Sequence, residues 1–191
     1  MKKLLFLILL IFPLVGCVPA ILVIGAAGAA LGGAVVYDQR SYQTMNQDHN
    51  ARSMAQYRLS SNSLLKGKSH ISISVFNNIA LLLGQVGTPE MRNCAYQIVS
   101  KIPNIRRIYN EISIGTPASA IRQANDFWIT TKVRTLMLGK YGLRSSNLKV
   151  ITQNNAVYLM GIVTPKQASM AADVARQISG VTKVIKVFEY K

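Results

Sequence analysis

An internal repeat restricts the fold of this 191-residue chain more than any other sequence feature. The aligned positions are Asn77-Asn78 with Asn154-Asn155, Gly84 with Gly161, Thr88-Pro89 with Thr164-Pro165, and Leu59 with Leu136. One extra residue, Gly87, stands before the Thr-Pro pair of the first copy. The repeat predicts two units, at 46–115 and 124–191, with a linker at 116–123. Each unit is near the lower size limit for a domain with its own core.

The same order of secondary structure is predicted for both units. In the second unit, apolar-rich runs at 148–152 and 156–163 flank Gln153-Asn154-Asn155, which is typical of a β-hairpin whose turn tolerates positive φ. Thr164-Pro165 predicts the start of a helix, with threonine as the N-cap. The run "VTKVIKVFEY" alternates as a closing strand, and a further helix precedes each hairpin. The order α-β-β-α-β predicts an α+β fold, with helices on one face of a small sheet.

The helix that opens the second unit, "NDFWITTKVRTLML", carries the candidate site. Asn125 or Asp126 is predicted to cap it, and Ile129, Val133 and Leu136 form the predicted inward stripe, with Met137 beside them. The outer sector and its flanks hold Phe127, Trp128, Thr131, Lys132, Arg134, Thr135 and Leu138.

Exposed aromatic side chains beside cations favour contact with the headgroup level of a membrane. Lys140, Arg144 and Lys149 follow in sequence and would widen the basic patch. The alternative is that Phe127 and Trp128 pack between the two units or under the linker, because exposed apolar groups mark protein interfaces as well.

The amino end has the pattern of a secretory signal, with Lys2-Lys3 before an apolar run. Leu14-Val15-Gly16-Cys17 resembles a bacterial lipobox, which implies cleavage of a leader at 1–16, acylation of Cys17 and a flexible tether at 17–45. In this class Val18, in place of aspartate, implies the outer membrane. The alternative is a plain transmembrane helix within 4–36. Cys94 is the one other cysteine, and we expect it to be an unpaired core residue.

Composition limits the partners. The chain carries 22 Lys and Arg against 7 Asp and Glu, so anionic surfaces are expected partners, and export excludes nucleic acid. The alternative is that the excess charge only keeps the chain soluble. His49 and His70 have no metal-ligand spacing, and the acids are scattered singly. We therefore expect no enzymatic activity, no metal and no cofactor.

The repeat also carries a family resemblance. The glycine within a strand of each unit and the approaches to the last strands, Gly180–Val184 and Pro103–Ile108, resemble the BON family. The stretches "DFWITTKVRTLML" and "VYLMGIVT" are more closely similar to outer-membrane lipoproteins with two BON domains. The first unit departs from this pattern, because "RSMAQYRLSSNSLLKGKSH" lacks a clean leading-helix stripe.

The resemblance implies tandem BON domains, each with two helices on a three-stranded mixed sheet. It also implies binding of anionic phospholipid, phosphatidylglycerol or cardiolipin, by the leading helix of the second unit, with Trp128 first and then Lys132 and Arg134. The implied role is outer-membrane integrity, with recruitment to the division site, on the periplasmic face. The alternative is a protein-interaction adaptor that assists the outer-membrane protein assembly machinery.

Overall fold

The computed structural model describes residues 40–143 and 147–191. The elements are α1 (Tyr42–Ser61), β1 (Ser69–Phe76), β2 (Ile79–Val86), α2 (Pro89–Ser100), β3 (Arg107–Ile114), α3 (Ala120–Leu138), β4 (Leu148–Gln153), β5 (Ala156–Val163), α4 (Pro165–Arg176) and β6 (Lys183–Tyr190). The predicted α+β fold with a repeated α-β-β-α-β order is confirmed. Helix α1 begins at Tyr42, so residues 42–45 are helical and do not belong to a tether.

Each unit contains one three-stranded mixed sheet. The central strand, β2 or β5, pairs antiparallel with the strand before it and parallel with the strand at the end of the unit. The two hairpin turns are Asn77-Asn78 and Asn154-Asn155, and all four residues have positive φ between 49° and 64°. Asparagine suits these turns because it tolerates the left-handed region better than most residues.

The helices that follow the hairpins begin where the Thr-Pro pairs predict. The Thr88 hydroxyl accepts the backbone N–H of Met91, and the Thr164 hydroxyl accepts that of Gln167. The Gln167 side-chain oxygen in turn accepts the backbone N–H of Thr164. These caps use backbone donors that the first helical turn leaves unpaired. They fix α2 and α4 directly after the central strands.

Each unit has its own core between the helices and one face of its sheet. The first core is formed by Ala51, Ala55, Leu59, Leu65, Ile73, Val75, Ala80, Leu82, Val86, Met91, Ala95, Val99, Ile102 and Ile112. The second contains Ile129, Val133, Met137, Val150, Val157, Leu159, Val163, Ala168, Ala171, Ala172, Ala175, Ile178 and Phe188 among others. Cys94 packs against the first core as a partly buried free thiol, with the inward orientation predicted for it.

A third core joins the two sheets through the faces that the helices leave uncovered. It consists of Phe76, Ile79, Leu81 and Leu83 from the first unit and Tyr158, Met160 and Val187 from the second. The layers are therefore helix, sheet, sheet and helix. Strand β2 is buried along all of its length because both of its faces are covered.

Two acids reinforce this junction. Glu189 of β6 pairs with Arg106 and accepts a bond from Asn77 Nδ2 at 2.6 Å. The Tyr158 hydroxyl donates to Glu111 Oε2 at 3.4 Å. Burial, followed by the charge of Glu111, raises the pKa of Tyr158 to about 12, so its hydroxyl stays protonated as the donor.

Three predictions about the second unit are wrong, namely the cap of its leading helix, the end of the linker and the inward direction of Leu136. Helix α3 is capped by Ser119 and begins at Ala120, so neither Asn125 nor Asp126 caps it and the predicted linker ends in helix. Leu136 is half exposed, whereas Met137 is buried. In the first unit, the buried face of α1 consists of Asp48, Ala51, Ala55 and Leu59, which agrees with the lack of a clean hydrophobic stripe in its sequence.

Candidate functional site

A buried carboxylate sets the position of α3. Asp126 accepts the backbone N–H groups of Asn154 and Asn155, each at 2.8 Å. In the first unit Asp48 accepts those of Asn77 and Asn78 at 2.6 and 2.7 Å. Each leading helix is thereby bonded to its own hairpin turn. Sequence reasoning missed this role, although both acids precede their Asn-Asn pair by nearly the same number of residues.

The outer face of α3, defined as Phe127, Trp128, Thr131, Thr135 and Leu138, is largely exposed. The exposed fractions are 67% for Phe127, 59% for Trp128 and 69% for Leu138. The two aromatic rings meet edge to face, with centroids 6.3 Å apart. Neither ring packs between the units, so that alternative is wrong.

The flanking polar residues differ in exposure and in whether their side chains are hydrogen-bonded to the protein. Lys132 and Thr135 are exposed, whereas the half-buried Thr131 donates its hydroxyl to the Phe127 carbonyl at 2.9 Å. Arg134 is exposed and donates from one terminal nitrogen to the Val150 carbonyl at 2.8 Å. This bond holds its guanidinium against the edge strand β4.

The three cations proposed to widen the patch are not equivalent. Lys140 is exposed just after α3, and Arg144 lies outside the described residues. Lys149 is partly buried, and burial together with the charges of Arg52 and Arg40 lowers its pKa to about 8. It belongs to the junction of the two units and does not extend the outer face of α3.

Grooves run along α3 where it passes over β4. One is lined by Phe127, Thr130 and Arg134 of the helix, together with Val150, Ile151 and Thr152 of the strand, among others. The next is lined by Arg134, Met137, Leu138, Leu148, Lys149 and Val150 and has a volume of about 250 Å³. Arg134 therefore stands between an aromatic groove and an aliphatic one.

Comparison with known proteins places this geometry in a family. A sequence profile of the BON domain matches residues 47–116 and 125–191. The chain belongs to the BON family. The predicted resemblance is therefore confirmed, and each α-β-β-α-β unit is a BON domain.

Two relatives are similar over most of the chain. The chain is 32% identical over 190 residues to a protein of Haemophilus influenzae named outer membrane lipoprotein DolP, covering 100% of this chain and 96% of that protein. It is 35% identical over 153 residues to the 21 kDa hemolysin of Actinobacillus pleuropneumoniae, covering 80% of this chain and 79% of that protein.

Among solved structures, CdsD of Chlamydia trachomatis is described as a structural protein of the type III secretion system. It aligns with a TM-score of 0.30 and 16% identity over 75% of this chain and 63% of that one. A likeness at that level bears on neither fold nor function.

The apolar outer face is a property of the second BON domain alone. When Asp48 is aligned with Asp126, the first BON domain carries His49, Asn50, Ser53, Tyr57 and Ser60 at the positions of the outer face of α3. At three of these positions a polar residue stands where α3 has an apolar one, namely His49 for Phe127, Asn50 for Trp128 and Ser60 for Leu138. The two domains therefore share a fold and differ in the surface that they offer.

The other predicted features fall partly outside the structure. The leader, Cys17, the tether to residue 39 and the alternative helix within 4–36 lie outside the described residues. Within residues 40–143 and 147–191, no helix has the length and apolar character to cross a membrane. The same residues contain no group of three His, Cys, Asp or Glu side chains placed to hold a metal ion.

Proposed function

We propose that this chain is a non-catalytic outer-membrane lipoprotein whose second BON domain binds anionic phospholipid through the outer face of α3. The observation that carries the proposal is the exposed Phe127–Trp128 pair, which lies beside Lys132 and Arg134. Acylation of Cys17 holds the chain on the periplasmic face. The similarity to the outer membrane lipoprotein DolP of Haemophilus influenzae supports the outer membrane as the location.

The magnitudes fit a weak contact made effective by an anchor. Full burial of one large apolar side chain contributes about 1.5–3 kcal/mol, and each nearby cation adds about 1 kcal/mol toward an anionic surface. Ordering and association costs remove much of this sum, and a net free energy of about −4 kcal/mol corresponds to a Kd near 1 mM. The acyl chains supply a high local concentration, so the patch selects lipid composition while the anchor retains the chain.

The distribution of acids supports an anionic partner. Asp48 and Asp126 are bonded to the hairpin turns, while Glu111 and Glu189 lie in the junction between the sheets. Among the exposed residues of α3 there is no acid. The positive charge of this helix is therefore not offset along its outer face.

Phosphatidylglycerol and cardiolipin are the expected lipids. Enrichment of such lipids at a division site would recruit the protein there, and its envelope role would be maintenance of outer-membrane integrity. These roles follow from the proposed lipid contact and depend on it.

Vesicle flotation tests the proposal. A chain of residues 36–191, which contains the whole compact unit without the acyl anchor, is mixed with vesicles of phosphatidylglycerol or phosphatidylcholine. We expect binding to phosphatidylglycerol that weakens as salt rises, and a loss of about tenfold in Trp128→Ala. Tyr57→Ala is the matched control, because Tyr57 is an exposed aromatic residue on the leading helix of the first domain. Absence of binding, or equal losses in the two variants, would contradict the proposal.

The anchor is tested separately with the full-length chain. Mass spectrometry of the mature protein should show an acylated amino-terminal cysteine, and Cys17→Ser should abolish both cleavage and acylation. Normal maturation and outer-membrane partitioning of Cys17→Ser would exclude the lipoprotein assignment.

The second candidate is an adaptor for the outer-membrane protein assembly machinery. It is favoured by the same exposed ring pair, because clustered aromatic side chains also form the centre of protein interfaces. The adaptor role would hold if residues 36–191 ignore anionic vesicles while Trp128→Ala still abolishes function in cells.

A further inference from the structure

Two arginines from the leading helices contact the edge strands of the two sheets in equivalent ways. Arg52 of α1 donates Nε–H to the carbonyl of Ile73 in β1 at 3.3 Å. Arg134 of α3 donates to the carbonyl of Val150 in β4 at 2.8 Å. Ile73 and Val150 occupy the same position of the repeat, and both strands lie at the edge of their sheet. Each exposed guanidinium is thus fixed at an edge by one donor, while its other donors are available.

Lys149 connects these two arginines across the domain junction. Its ammonium lies within electrostatic range of Arg40 and Arg52 from the first domain and of Arg134 from the second. The edges of β1 and β4 lie on the same side of the molecule, because Ile71 and Ser72 of β1 and Gln153 of β4 line one cleft. The lowered pKa of Lys149 has burial as its main cause, followed by repulsion from Arg52, and Asp48 opposes this shift only in part.

Asp48, the acid that acts on Lys149, is already engaged. Asp48 accepts Arg40 at 2.7 Å and the backbone N–H groups of Asn77 and Asn78. Arg40 also lies over the ring of Phe76, 4.1 Å from its centroid. Arg40 and Asp48 therefore offset each other, and we call the remaining three cations, Arg52, Arg134 and Lys149, the junction cluster.

A groove of suitable chemistry opens beside this cluster. Arg134 and Lys149 line the aliphatic groove of about 250 Å³, whose other walls are Met137, Leu138, Leu148 and Val150. Two cations at an otherwise apolar groove suit a ligand that has a phosphate ester for the cations and a hydrocarbon part for the apolar walls. Leu138 belongs both to this groove and to the outer face of α3, so the groove adjoins the surface proposed to meet the membrane.

We propose that Arg52, Arg134 and Lys149 form a phosphate site at the domain junction, which takes the phosphodiester headgroup of one membrane phospholipid whose glycerol end lies in the groove beside Leu138. This inference rests on the proposed function and adds a residue from the first BON domain to the lipid contact. Guanidinium groups suit phosphate because their donors match its oxygens in pairs, and the ammonium of Lys149 adds a point charge.

Binding should couple to the protonation of Lys149. A phosphate supplies further negative charge, so the pKa of Lys149 rises on binding and the affinity is higher at pH 7 than at pH 9. The other charged groups that face Lys149 are Arg40, Asp48 and Arg52 near or on α1 and Arg134 on α3. The arginines keep their charge throughout this range, which leaves Lys149 as the titrating cation.

The direct test follows the Lys149 side chain of residues 36–191 by NMR of 13C-labelled lysine, with Lys149→Arg to assign the signal. We expect soluble short-chain phosphatidylglycerol to raise its titration midpoint by about one pH unit. Short-chain phosphatidylglycerol and inorganic phosphate are compared at equal concentration. An unmoved midpoint, or an equal effect of inorganic phosphate, would overturn the assignment of a lipid headgroup.

Vesicle binding then separates this inference from the function on which it rests. We expect Arg52→Gln to weaken binding to phosphatidylglycerol vesicles by about fivefold, whereas Arg58→Gln, another exposed arginine of α1, leaves it unchanged. If Arg52→Gln and Arg58→Gln behave alike while Trp128→Ala still weakens binding, the junction site is excluded and the proposed function stands. If neither Trp128→Ala nor the unaltered chain distinguishes phosphatidylglycerol from phosphatidylcholine, the proposed function fails.

Discussion

At the scale of single residues, Asp48 and Asp126 have the same task in two domains of different surface character. Each carboxylate lies on the inner side of its leading helix and accepts two backbone N–H groups of a turn that no strand bond satisfies. A charged acceptor makes such bonds stronger than neutral ones. The acid therefore determines where the helix lies on the hairpin, and through the helix it determines where Trp128 points.

We predict that Asp126→Ala lowers the free energy of unfolding by about 3 kcal/mol, because two turn N–H groups lose their acceptor near the core. Urea unfolding of residues 36–191 measures the change. Asp173→Ala is the control, since Asp173 forms an exposed pair with Arg176 and its loss costs at most about 0.5 kcal/mol. Equal effects of the two variants would show that the turn does not depend on Asp126.

The sequence correctly predicts exposure for side chains that point well away from the buried stripe of α3. It fails for side chains at the edge of that stripe. Phe127 and Trp128 lie well to either side of the buried stripe, so a small error in the helix register leaves them exposed. Leu136 and Met137 lie at that boundary, and Leu136, predicted to point inward, is exposed, whereas Met137, predicted beside the stripe, is buried. The spacing from the buried acid to the turn is 28 residues in the second unit and 29 in the first, so Met137 and not Leu136 corresponds to Leu59.

At the scale of elements, the start of β4 depends on a glycine in its partner strand. Gly161 of β5 lies opposite Leu148, and a Cβ at Gly161 would collide with the Asn147 carbonyl oxygen. Gly84 of β2 is in the same situation, because a Cβ there would collide with the His70 carbonyl oxygen. These glycines let the backbones of the first two strands of each sheet come together.

We predict that Gly161→Ala lowers the free energy of unfolding by about 2–3 kcal/mol, as expected for overpacking that shifts backbone. Gly87→Ala is the matched control, because its Cβ would meet only Met91 Sδ at 3.9 Å, an ordinary contact. Chemical denaturation of both variants gives the comparison. A Gly161→Ala protein as stable as Gly87→Ala would mean that β4 can withdraw from β5 without cost.

The order of elements could be predicted because its signals are local. Asn-Asn turns, Thr-Pro caps and alternating strands each lie within a few residues. Helix α1 was harder, because its buried face is built from Ala51 and Ala55, which give a weak hydrophobic pattern. The start of α3 was misplaced since Asp126, a good capping residue by type, bonds to a distant turn instead.

At the scale of the whole molecule, the sheet-to-sheet core makes the two BON domains one body. Packing of one domain on the other was not predicted, yet "IALLLGQV" contains a signal, because a strand apolar on both sides requires cover on both faces. Which sheet supplies that cover is a long-range property that no local pattern contains.

We predict that Met160→Asp separates the unfolding of the two domains. Met160 is buried in the shared core, so a charge there must be solvated by parting the sheets. Calorimetry should show one thermal transition for the unaltered chain and two for Met160→Asp. Ile121→Asp, a change at an exposed position of α3, should keep the single transition. A single transition in both variants would show that the domains stay coupled without this core.

The layer order determines where the two leading helices face. Helix α1, at the amino end of the described chain, and helix α3 are on opposite outer layers, roughly 30 Å apart given spacings of about 10 Å per layer. Their outer faces therefore point in opposite directions, so the two leading helices can contact different partners at the same time.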